Sequence, residues 1–156
     1  MKKPKRIETS EAGEYAGRLE EFDSGKGQPF ADSWQSGCGA EGRQPTLYAR
    51  WRAFEHDKVY VVYSYGDHFP TYIWSDAAQM WFANADKFSR TTTAHQSKAH
   101  PRKLVREEKY PFGDRTYPVY EWADCEPRDT EWMKAVAERG MVGRVAKVFA
   151  DARRAS

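Results

Sequence analysis

The sequence predicts an α+β fold, an antiparallel β-meander of four to five strands with an N-terminal helix and two C-terminal helices. Three observations carry that expectation. In "TLYARWRAF", residues 46–54, Leu47, Ala49, Trp51 and Ala53 alternate with Tyr48, Arg50 and Arg52, the period of a half-buried strand. Short β-branched and aromatic runs separated by short turns continue to residue 83, the pattern of a meander. Beyond residue 129 the apolar residues recur at helical spacing.

Taken in order, "MKKPKRI" reads as a flexible basic tail over residues 1–7, and residues 8–156 as a single α+β domain, a size that suits one core. "TSEAGEYAGRLEEF" follows, with Thr9 or Ser10 as N-cap and acids in the first turn, an arrangement helices favour. Gly13 and Gly17 weaken that helix. Residues 24–45 are rich in Gly and Ser and read as a long loop. "EHDK" is then a turn, "VYVVYSY" a strand, Gly66-Asp67 a turn, "TYIW" a strand, "SDAAQ" a turn and "MWFA" a strand. "RTYPVYEW" adds a fifth strand, placed at an edge by Pro118. Asp129 or Thr130 caps the helix "EWMKAVAERG", which stops at Gly140. Val142, Val145, Ala146 and Phe149 mark the last helix.

Aromatics make up 15% of the chain, so large rings supply much of the core. A net charge of +2 excludes a polyelectrolyte, but the charges are unevenly spread: residues 8–24 are acidic and residues 87–109 basic. The two cysteines, Cys38 and Cys125, form no CxxC pair, which leaves no zinc site of ordinary spacing and favours thiols in a reducing compartment. No apolar run approaches the roughly 20 residues that span a bilayer. These features together predict a soluble cytoplasmic protein with no cofactor and no metal.

The segment from Val62 to Pro101 resembles a family of small uncharacterised bacteriophage and plasmid proteins. The shared pattern is Tyr65, Gly66, His68, Phe69 and Pro70, then Trp81, then Asn84, Asp86, Lys87 and Ser89, then Thr92, Thr93 and His95. It covers about a quarter of the chain. What the resemblance implies is an origin, an accessory gene of a mobile element, rather than a reaction.

The chemistry concentrates in "FSRTTTAHQSKAHPRK", residues 88–103. Hydroxyls and amides there suit the fixing of an anion, and cations supply its salt-dependent affinity. Tyr and Trp side chains on a neighbouring sheet face can stack on exposed bases. The residues expected to contact a nucleic acid or a nucleoprotein partner are Lys87, Arg90, Thr91, Thr92, His95, Lys98, Arg102 and Lys103. On this reading the protein binds rather than catalyses, and inhibition of a host defence complex such as a CRISPR effector is one form that binding takes. The alternative is a small enzyme acting on a phosphate-containing substrate, with His68 and His95 as acid and base. No G-x-S-x-G, Walker A or G-x-G-x-x-G motif accompanies them.

Overall fold

The computed structural model describes residues 5–24, 47–64, 69–86 and 90–141, without the side chains of 90–94. The strands among them are β1 (Lys5–Arg6), β2 (Phe22–Asp23), β3 (Leu47–Ala53), β4 (Lys58–Ser64), β5 (Phe69–Ser75), β6 (Met80–Asn84), β7 (Arg102–Lys109), β8 (Thr116–Trp122) and β9 (Cys125–Arg128). The α-helices are α1 (Ala12–Gly17), α2 (Arg90–Ala99) and α3 (Thr130–Arg139). The fold is therefore mixed α and β, as expected, but richer in strands than a four- or five-strand meander.

Seven strands form one sheet in the order β1-β2-β3-β4-β5-β6-β9, while β7 and β8 form a separate two-stranded sheet. The β3-to-β6 meander is antiparallel throughout; β1 joins β2, and β9 joins β6, in parallel. "RTYPVYEW" is a strand, but it belongs to the smaller sheet and pairs with β7. Lys5 and Arg6, expected in a tail, pair with Phe22 and Asp23, and Ile7 is buried. The Gly66-Asp67 turn, the loop holding Cys38 and the last helix lie outside the described residues.

Both faces of the large sheet are covered, and β4 shows how. Tyr60 and Val62 point into a cluster with Ala12, Tyr15 and Ala16 of α1 and Ala99 of α2. Val59, Val61 and Tyr63 point the other way, into a cluster with Met133, Val136 and Ala137 of α3. A strand buried on both faces carries a continuous apolar run rather than an alternating one, which is why "VYVVY" lacks the polar spacing seen in β3.

α3 follows its sequence signals closely. The Asp129 carboxylate accepts the Trp132 N–H at 2.8 Å, and Gly140 ends the helix at φ +75°, a conformation that favours glycine. The Asp57 carboxylate, buried beside it, accepts four hydrogen bonds, from the N–H groups of Lys58, Ala77 and Met141 and from Ser75 Oγ. It thereby ties the β3–β4 turn, the β5–β6 turn and the end of α3 together.

Candidate functional site

Two glycines of α1 explain how the smaller sheet is held. Gly13 and Gly17 are four residues apart and so share one helix face. A Cβ at Gly13 would fall inside the Arg102 guanidinium, and one at Gly17 would overlap the Arg102 carbonyl. The residues that weaken the helix are thus the ones that let it lie directly on the start of β7. Arg102 is buried there: Nη1 donates to Lys98 O at 3.0 Å and Nη2 to Ser10 O at 2.7 Å. Its guanidinium also stacks on Tyr120 and Trp122, 5.0 and 5.3 Å from their ring centroids. The Tyr120 hydroxyl donates to the Glu14 carboxylate, and that bond raises its pKa above the ordinary tyrosine value.

From this base, β7 and β8 project as an arm. Every residue from Lys103 to Glu107 is exposed. Among the described residues the exposed large apolar side chains are Leu104, Val105, Tyr110, Phe112 and Trp122, all on this arm, with Phe112 at its tip 91% exposed. Both long edges are blunted. The pairing slips at Val105 in β7, a bulge, and β8 carries Pro118, which has no N–H to offer. Side chains, rather than open backbone, are what the arm presents.

Between arm and main sheet lies a cleft of about 420 Å³, within the range of small-ligand sites. Trp74 and Trp81 form one part of its lining, with Leu19 after α1; Arg102, Lys103 and Trp122 form another. Trp74 and Trp81 sit opposite each other on β5 and β6, ring centroids 5.8 Å apart. Glu121 and Asp124 add carboxylates. Arg102 brings an unusual feature: its buried Nε–H has no hydrogen-bond partner among the described residues.

The expected anion-binding run takes a different form from a surface loop. Residues 90–99 form α2, and 102–109 form β7. Arg90, Thr91 and Thr92 lie in the first turn of α2, with side chains outside the described set, and Lys87 and His68 are outside it altogether. Lys98 and Lys103 are exposed. Arg102 and His95 are not the surface contacts expected of them, because both are buried. His95 Nδ1 lies 2.7 Å from Ser64 Oγ. Burial, helped by the Lys98 charge, pushes the imidazole pKa below its ordinary value. Gln96 Nε2 donates to Asn84 O at 2.8 Å, and Tyr72 OH donates to Gln96 O at 2.7 Å. α2 is therefore bolted to the large sheet by polar contacts. His100 is occupied elsewhere, with Nε2 2.8 Å from Ala123 O.

The aromatic cleft went unrecognised in the sequence because its tryptophans come from β5, β6 and β8, and only the fold brings β8 back to the meander. Among the described residues no three His, Cys, Asp or Glu side chains form a metal-ligand group, and no helix is long and apolar enough to cross a membrane. Comparison with family models, curated proteins and solved structures finds no match.

Proposed function

We propose that the chain is a binding protein of the phage or plasmid accessory kind, docking on a host nucleoprotein complex through the β7–β8 arm. The observation that carries this reading is the concentration of exposed apolar side chains on one projecting element. Exposed apolar clusters of this sort mark interaction surfaces. Residues 103–121 also carry four bases (Lys103, Arg106, Lys109, Arg115) and four acids (Glu107, Glu108, Asp114, Glu121). That balance suits a protein component of the complex better than a bare phosphate backbone. Interference with a host defence complex, such as a CRISPR effector, is the specific form of the proposal.

The enzymatic reading takes His68 and His95 as acid and base. It is less well supported, because His68 lies outside the described residues and His95 is only 6% exposed, with Nδ1 against the buried Ser64 hydroxyl. The docking proposal is tested by immobilising the wild-type chain and a Phe112→Asp, Tyr110→Asp double variant and passing host lysate over each. Retention of one defined protein–nucleic acid assembly by the wild type, and its loss from the variant, is expected. Equal retention by both, or recovery of nothing but nucleic acid that salt releases, overturns the reading. In cells carrying an active CRISPR effector, the wild type should restore plating of the targeted phage and the double variant should not.

A further inference from the structure

We infer that the tryptophan cleft between the arm and the main sheet is a nucleobase-binding site. The inference shares Trp122 with the docking proposal but is separable from it, since the cleft lies at the base of the arm and Phe112 at its tip. Two features converge on a flat ring bearing N–H donors. Trp122 is 52% exposed, and with Trp74 it offers indole surface to the cleft while Trp81 backs the lining. Aromatic faces of this kind hold bases by stacking irrespective of sequence.

The second feature is the pair of carboxylates, Glu121 and Asp124, which can accept ring or exocyclic N–H groups. Lys103, exposed beside them, is placed to meet a phosphate attached to the base. An apolar peptide side chain would satisfy the tryptophans but would offer no donor to the two carboxylates and no anion to Lys103.

The base can belong to a free nucleotide or to an unpaired strand, and the test separates the two. Quenching of tryptophan fluorescence is measured with thymidine, thymidine 5′-monophosphate, a short oligothymidylate and an abasic strand of the same length. Saturable quenching by every base-containing probe, and none by the abasic strand, is expected. Tighter binding of the oligothymidylate than of the mononucleotide assigns the site to a strand, and equal binding assigns it to a free nucleotide; either supports the inference. Trp122→Ala should weaken binding about tenfold, the scale of one lost base-stacking contact, and Trp122→Phe should recover most of it. Phe112→Asp should leave base binding unchanged, so failure of the arm proposal and failure of this one are distinguishable. No saturable quenching by any base-containing probe, equal binding of the abasic strand, or unaltered affinity in a folded Trp122→Ala variant overturns it.

Discussion

Strands β4 and β7 are of nearly equal length, 7 and 8 residues, and live in opposite environments. In β4 every residue after Lys58 is buried; in β7 Arg102 alone is. β4 is covered on one side by α1 and α2 and on the other by α3. Among the described residues β7 has only β8 beside it, and α1 across its first residue. The contrast teaches that this molecule separates the work of folding from the work of display. A two-stranded ribbon is marginally stable by itself, so the arm borrows its order from its base, where Arg102 is buried against Gly13 and Gly17.

The most forceful way to test that separation is to cut into each region in turn. Phe82 is fully buried on the α3 face of the sheet, so Phe82→Ala should lower global stability by about 4 kcal/mol. Leu104, exposed on the arm, should tolerate the same truncation within about 0.5 kcal/mol. Urea unfolding followed by circular dichroism measures both. Comparable losses in the two variants would mean that the arm is part of the cooperative core after all.

The junction comes next. Gly17→Ala introduces a methyl group where the Arg102 carbonyl already lies, and close packing leaves it nowhere to go. A loss of about 2 kcal/mol is expected, the scale of an overpacked contact. The loss should be accompanied by a selective rise in amide exchange along β7 and β8 while β4 and β5 stay protected. Uniform loss of protection would instead show that α1 holds the whole sheet, not the arm in particular.

The same contrast explains how much the sequence reveals. The β3-to-β6 meander is legible because burial imposes a pattern on it, alternating in β3 and continuous in β4. α3 is legible because Asp129 and Gly140 punctuate it. β7 is not, because six of its eight residues are charged and a strand without a buried face has no apolar period to read. α2 hides for a related reason. "RTTTAHQSKA" has three β-branched threonines and no apolar stripe, and its place is secured by His95, Gln96 and Ala99 against the sheet and α1. For the site, residue type alone misleads: Arg102 looks like a surface cation in "HPRK", but Gly13 and Gly17, distant in the sequence, make room to bury it. The cleft's three tryptophans are likewise spread over residues 74–122, and only the pairing of β8 with β7 returns the last of them to the first two.

The smallest effect expected is one of pH, and it should part the two regions. His95 stands in the main body with its pKa below the ordinary 6.5, chiefly through burial and secondly through Lys98. On acidification the unfolded chain therefore takes up this proton before the folded chain does, so the body loses stability as pH falls below about 6.5. Glu108 is the arm's counterpart. Its bond from Arg106 and then the Tyr117 hydroxyl hold its carboxyl below the ordinary 4.5. The stability it lends is complete above that value and fades only as pH falls through the lower folded one. Between about pH 6.5 and 4.5 the body should loosen while the β7–β8 pairing keeps its own contacts. Denaturant midpoints across that window, with His95→Gln alongside, measure the first part; a wild-type slope retained in the variant would clear His95 of the effect. Ring resonances of Tyr110 and Tyr117, whose centroids lie 4.9 Å apart on the arm, measure the second and should hold their positions until the pH drops below that of an ordinary carboxylate.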